Sequence, residues 1–263
     1  MVGTLQNMRE PECYSEAASD ARWQEAMRSK NISLKAHGTF TLVRSYDRKP
    51  ITCQWVFRIK RNPDGSNRFK ARFEARGFEQ VPGLDYGETF APVARLTTFQ
   101  VYVALALELN ATIYHLDVVT AFLNPKIDEK TAIAISDGIE WLDPLLTQDL
   151  TPLSSLQLNK TLYGLKQAPR PWYKDIASVL CSLGFAASGA VPNLYLLTER
   201  AMMILLYVDD ILICAHNNNQ PQLSQVIQAL QSHYEITNLG AVKQYLGIAL
   251  QGFDSAMPIT VCS

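Results

Sequence analysis

AMMILLYVDDILICA, residues 201–215, is an apolar run interrupted at its centre by two adjacent aspartates, Asp209 and Asp210. Burying a carboxylate among aliphatic side chains is costly unless it is paired or holds a cation, and neighbouring carboxylates repel each other. The run is too short to span a bilayer, and each central aspartate would add about 2.5 to 3.5 kcal/mol to the cost of insertion. We therefore read MMILLYV and ILICA as two buried strands of a hairpin with the aspartates at its tight connection. A turn left in water would also accept an Asp-Asp pair, so the sequence around the hairpin has to decide.

Working outward, ATIYHLDVV (111–119) is a second apolar strand, and it carries a third aspartate, Asp117. TTFQVYVALALELN reads as a helix with Thr97 or Thr98 as N-cap and a stripe of Phe99, Val103, Ala106 and Leu107. PRPWYKDIASVLCSLGF is a helix with Trp172, Ile176, Leu180 and Leu183 on one side and Gly184 as its stop. PQLSQVIQALQSHY starts at Pro221 and turns Leu223, Val226, Ile227 and Leu230 inward. KQYLGIALQ reads as a last strand. Nearer the start, SDARWQEAMRSK is helical and HGTFTLV opens a strand. CQWVFRIKR and RFKARFEAR alternate on either side of the turn formers NPDGSN, which is a hairpin signal. Between Pro125 and Ser155 no element is expected. The fold class is thus α+β, with helices packed on one face of a mainly antiparallel sheet.

At 263 residues and 48% apolar content, the chain can bury one large core or two smaller ones. The polar, partly acidic first twenty residues lack the pattern of a secretory signal, so an intracellular protein with no membrane role is expected. The scattered cysteines Cys13, Cys53, Cys181, Cys214 and Cys262 form no zinc or disulfide spacing. Charge is uneven: residues 44–76 hold ten Lys/Arg against three Asp/Glu, whereas residues 77–263 hold nine against seventeen. A basic segment on an acidic body can steer a polyanion toward carboxylates that hold cations, or can be a solvated face. If the strands of Asp117 and of Asp209–Asp210 are neighbours, three carboxylates converge with no histidine or cysteine nearby. Such hard oxygen donors suit Mg²⁺ or Mn²⁺. Two such ions serve phosphoryl transfer.

At this point the residues carry a family resemblance. KARFEARGFEQVPGLDYGETFAPVARLT, HLDVVTAFLN, LNKTLYGLKQAPRPWY, LLYVDDILI and LGAVKQYLGI resemble, in order and spacing, the reverse transcriptase of copia-type long-terminal-repeat retrotransposons. The resemblance covers most of residues 10–252. It implies a right-hand polymerase that copies RNA or DNA into DNA from a primed template and deoxynucleoside triphosphates, using two Mg²⁺ or Mn²⁺ ions. It implies an N-terminal helical segment (1–38), a fingers-like region (39–111) and a palm-like region (112–252) with motifs around Asp117, Gln167, Asp209 and Gly247. Asp117, Asp209 and Asp210 would be catalytic and hold metal, with the backbone of Val118 as a further ligand. Phe122 would exclude a ribose 2′-hydroxyl. Gln167 would position the nucleotide and template base, and Lys70 and Arg72, with Arg76 as the alternative, would hold the triphosphate. Tyr245, Leu246 and Gly247 would form the primer grip. A location in a cytoplasmic virus-like particle or in the nucleus follows from the same resemblance.

The chain also departs from the family. KIDEKTAIAISDGIEWLD, within a divergent insert (126–156), replaces the usual tyrosine-containing strand and Pro-Glu-Gly turn, and Glu74 stands where an apolar residue is usual. The tail (253–263) ends soon after the primer-grip block, so a fragment with most of the thumb missing is expected. Two other readings stay open: a catalytically inactive nucleic-acid-binding relic, and a metal phosphohydrolase using the same aspartates. Asp85 and Glu88, in GLDYGETFAPV, have no catalytic role that the sequence explains.

Overall fold

A computed structural model describes residues 9–62, 65–139, 150–251 and 260–262. The chain sorts into two units, Met1–Thr89 with Phe122–Pro171 and Phe90–Ala121 with Trp172–Ser263. Each unit draws on two separated stretches, where the sequence reading laid out consecutive segments. Pro63 and Asp64 of the expected turn, residues 140–149 of the insert, and residues 253–259 and 263 of the tail lie outside the described residues.

In chain order the elements are α1 (Tyr14–Ala17), α2 (Ala21–Ala36), β1 (Phe40–Val43), β2 (Cys53–Arg61), β3 (Asn67–Ala75), α3 (Leu96–Glu108), β4 (Ala111–Val118) and β5 (Ala132–Ile133). There follow β6 (Ser155–Leu158), α4 (Pro169–Ser182), β7 (Ala186–Ala187), β8 (Leu194–Leu197), β9 (Met202–Tyr207), β10 (Asp210–His216) and α5 (Gln220–His233). The last are β11 (Ile236–Ala241), β12 (Gln244–Tyr245), β13 (Ile248–Gln251) and β14 (Thr260–Cys262). Among the described residues, no helix is long and apolar enough to cross a membrane.

In the first unit, alternation sorts the β2–β3 hairpin into two faces. Trp55 opposes Phe73 and Phe57 opposes Ala71, and all four are buried. Helix α2 covers them, with the Trp23 ring edge-on to Phe57 at 5.2 Å and to Phe69 at 4.9 Å. Asp20 caps that helix by accepting the Arg22 N–H at 2.8 Å. The opposite face pairs Lys60 with Arg68, Arg58 with Lys70, Val56 with Arg72 and Gln54 with Glu74. A smaller antiparallel sheet runs β1–β6–β5. Two glycines mark where distant stretches meet backbone to backbone. A Cβ on Gly164, whose φ is +90°, would lie 2.0 Å from the Ala75 carbonyl oxygen, and one on Gly77 would lie 2.1 Å from that of Gly164.

In the second unit, one antiparallel sheet runs β11–β4–β10–β9–β8–β7. MMILL and ILICA are unbroken apolar runs because both faces of this sheet are buried. On one face, Phe99, Tyr102, Val103 and Ala106 of α3 pack with Ile113, Leu205, Leu212 and Cys214. The other face meets α4 and α5: the Tyr195 hydroxyl donates to that of Tyr173 at 3.1 Å, and the Gln220 amide donates to the Tyr114 hydroxyl at 2.8 Å. Helices therefore cover both faces, which corrects the expectation of one. Helix α3 starts after Arg95, with no side-chain cap on Thr97 or Thr98, and Leu107 is on its outer side at 37% exposure. KQYLGIALQ is not one strand but a hairpin of β12 and β13.

Candidate active site

Tyr207 pairs with Asp210 across the β9–β10 hairpin, which leaves Val208 and Asp209 as its two-residue connection. Val208 has a φ of +54°, while Asp209 keeps a negative φ. Positive φ at the first position alone is the sign pattern of a type II′ turn, where glycine is usual. A β-branched residue there holds strain of about 1 to 3 kcal/mol, which the surroundings must sustain. Both carbonyls of the connection are taken. That of Asp209 accepts the Val118 N–H at 2.8 Å, and that of Val208 accepts the indole N–H of Trp172 at 2.8 Å.

In the neighbouring ladder Asp210 lies directly opposite Asp117, so both project from the same face of the sheet. Asp117, Asp209 and Asp210 are all partly buried. The expectation that no histidine approaches them is wrong. His115, two residues before Asp117 and hence on the same face, places Nε2 at 2.6 Å from Oδ1 of Asp210. The Tyr245 hydroxyl donates to the other carboxylate oxygen at 3.5 Å. Burial, with the Asp210 and Tyr207 groups beside it, pushes the Tyr245 phenol well above its ordinary pKa, so it stays a donor. The alternation of HLD carried this signal, since His115 and Asp117 had to share a side once the strand was assigned.

Asp117 and Asp209 lie at one end of the sheet, and their side chains are of the carboxylate type that a hard divalent cation takes. Among the described residues, no group of three or more His, Cys, Asp or Glu side chains is placed so that it could hold a metal ion. Asp210 is tied to His115 and Tyr245.

Tyr245 is buried among aromatic rings, 5.0 Å from Phe99, 5.5 Å from His115 and 6.2 Å from Tyr207. Leu246 and Gly247, the next two residues, connect β12 to β13 with φ of +49° and +82°. Positive φ at both positions is the type I′ pattern. A Cβ on Gly247 would touch nothing within 4 Å, so the backbone angle and not space calls for glycine there.

Lys70, Arg72, Phe122 and Gln167 belong to the first unit. Lys70 and Arg72 stand on the basic face of the β2–β3 hairpin, across from Arg58 and Val56. Phe122 is buried at 9% exposure against the Tyr163 ring, 4.7 Å away, and its carbonyl accepts the Thr161 hydroxyl. On that same Tyr163 ring, at 5.6 Å from its centre, rests the ammonium of Lys30. Burial, with Lys70 and Arg72 nearby, lowers the Lys30 pKa to about 8.

Gln167 is 1% exposed and its amide is shared between two loop residues. Its oxygen accepts from the Gln80 side chain at 2.9 Å, and its nitrogen donates to the Asp85 carbonyl at 3.1 Å. This accounts for the GLDYGETFAPV block. The Asp85 carboxylate accepts the Val81 N–H at 2.9 Å and pairs with Arg48 at 3.1 Å, which folds the loop so that its carbonyl meets Gln167. Glu88 forms an ion pair with Arg170. The sequence reading missed Asp85, Gln80 and Trp172 as elements of these sites, because each acts across a gap in sequence that no local pattern spans.

A family model described as reverse transcriptase (RNA-dependent DNA polymerase) matches residues 37–262. The retrovirus-related Pol polyproteins from transposons RE2 and RE1 of Arabidopsis thaliana are each 34% identical to the chain over 244 residues. The corresponding polyprotein from transposon TNT 1-94 of Nicotiana tabacum is 32% identical over 250 residues. These matches cover 91–92% of this chain but only 16–18% of the polyproteins, so the chain spans a small part of their length.

Proposed function

Since the chain belongs to the reverse transcriptase (RNA-dependent DNA polymerase) family, with copia-type Pol polyproteins among its relatives, we propose that it extends a DNA primer on an RNA or DNA template from deoxynucleoside triphosphates. The observation that carries this reading is the strand register, which sets Asp117 opposite Asp210 and Asp209 in the adjoining turn. In this reading the second unit works as the palm and the first carries the fingers.

Asp117 and Asp209, with the Val118 carbonyl, would hold Mg²⁺ or Mn²⁺. Such ions, when bound, supply positive charge to the reacting phosphoryl group. Asp210 serves the same end of the sheet, its carboxylate oriented by His115 and Tyr245. Lys70 and Arg72 bind the triphosphate through charge-assisted hydrogen bonds. Phe122, backed by Tyr163, gives the sugar pocket a bulky aromatic floor that a 2′-hydroxyl would strike. Gln167 helps position the incoming nucleotide and template base, its amide oriented by Gln80 and Asp85. The Leu246–Gly247 turn presents backbone to the primer strand.

Primer extension on an RNA template with Mg²⁺, and separately Mn²⁺, tests this. The wild-type chain extends the primer and Asp209→Asn does not. Absence of extension by the wild type under both ions, with primer-template still bound, would favour the relic.

A further inference from the structure

We propose that Trp172 is a positioning residue that holds the strained connection presenting Asp209. The functional side of this inference rests on the reading of Asp209 as a cation-binding carboxylate. The structural side does not. Trp172 is 3% exposed, and the sole polar atom of its side chain donates to the Val208 carbonyl at 2.8 Å. That carbonyl belongs to the residue whose φ of +54° is least natural for its side chain. A carbonyl at a hairpin tip ordinarily finds water, yet here a buried indole takes it, so two polar groups are satisfied at once.

The indole is itself held. Its ring meets Tyr234 edge-on at 5.2 Å, and the Tyr234 hydroxyl donates at 2.8 Å to Asp175, three residues along α4 from Trp172. On the other side, the Asp209 carbonyl accepts the Val118 N–H from β4. The connection is thus gripped from α4 and from β4, and neither grip is a bond within the hairpin. With the α4 grip lost, Val208 can relax toward negative φ and carry Asp209 with it.

The test compares amide hydrogen exchange in the segment 205–212 for wild type, Trp172→Phe, Val208→Gly and the double variant. Phenylalanine keeps an aromatic ring and removes the N–H. Trp172→Phe speeds exchange at the connection about five- to tenfold, the effect of one lost hydrogen bond, while α4 keeps wild-type protection. In the Val208→Gly background the same change has less than about a twofold effect, because glycine takes positive φ without strain. A residue that only filled space would act equally in both backgrounds, and equal increments, or no increment in the wild-type background, would overturn the proposal.

If Trp172→Phe does not fold, Tyr234→Phe replaces it, since it leaves the ring against Trp172 and removes the bond to Asp175. It is expected to speed exchange in the same segment about twofold, and unchanged exchange would count against the proposal. In primer extension Trp172→Phe lowers kcat roughly tenfold and leaves KM for the nucleotide unchanged. A wild-type chain that extends nothing defeats the polymerase reading, and the exchange comparison still decides what Trp172 does.

Discussion

Two long hairpins among the described residues are built to opposite specifications. In β9–β10 the side chains of both faces are buried along the strands, and the carboxylates Asp209 and Asp210 lie at the tip. In β2–β3 one face is apolar and the other carries Lys60, Arg68, Arg58, Lys70 and Arg72. A hairpin buried on both faces has little freedom, so it holds the carboxylates at its tip in fixed places. A hairpin with one basic face gathers positive charge, which suits an attraction that acts over a Debye length and needs little geometry. Position and charge supply are thus assigned to different strands.

The sharpest attempt to break this contrast is Asp117→Asn, which keeps shape and removes charge opposite Asp210. Extension should fall to background in a primer-extension assay while the melting temperature holds, and retained extension would take Asp117 out of the metal site. Next, Ile213→Ala in β10 should cost about 2 to 5 kcal/mol in urea unfolding, since Ile213 has no exposure. The same assay should place Lys60→Gln, on the hairpin with the basic face, within about 0.5 kcal/mol of wild type.

Lys30 yields a pH test of intermediate size. Its ammonium loses the proton near pH 8 in the folded chain and near 10.5 when unfolded. Between those values the unfolded chain binds the extra proton, so stability rises with pH as the burial cost of the charge disappears. The rise amounts to at most about 3 kcal/mol over the whole window. Unfolding followed from pH 7.5 to 10 should show it in wild type and not in Lys30→Met. Comparing the two cancels the buried tyrosines Tyr102, Tyr195, Tyr234 and Tyr245, whose raised pKa values act in the opposite direction at higher pH. The smallest effect concerns the basic face. Lys70→Gln should lower the slope of log affinity against log salt for primer-template by about 0.7 to 0.9 if it meets one phosphate, with stability little changed.

Both hairpins were legible in the sequence because their difference is one of period: MMILL and ILICA run on, whereas CQWVFRIKR alternates. The candidate carboxylates were legible because two aspartates in an apolar run demand an explanation. Pairing was not legible. Nothing in ATIYHLDVV states that it will lie between β10 and β11, and the Asp117–Asp210 register joins residues far apart in the chain. The Trp172 indole and the Gln80–Gln167–Asp85 bonds share that character: each looked like a core or turn residue until its distant partner was placed. The faces covered by helices were misjudged for a related reason. Two unbroken apolar strands already required cover on both sides, but the sequence did not show which helices would supply it.

The interleaving of the two units has a consequence for how the chain is made. β1 pairs with β6, Phe40 opposite Leu158, so the first strand of the smaller sheet emerges from a ribosome more than a hundred residues before its partner. Asp117 likewise waits for Asp210. Neither unit can close while the other's intervening stretch is still being synthesised, and such delayed, non-local pairing exposes apolar strands for longer. A recombinant piece cut between residues 121 and 122 would split both units. Slow translation through residues 122–171 would favour completion of the first unit before the long apolar hairpin appears.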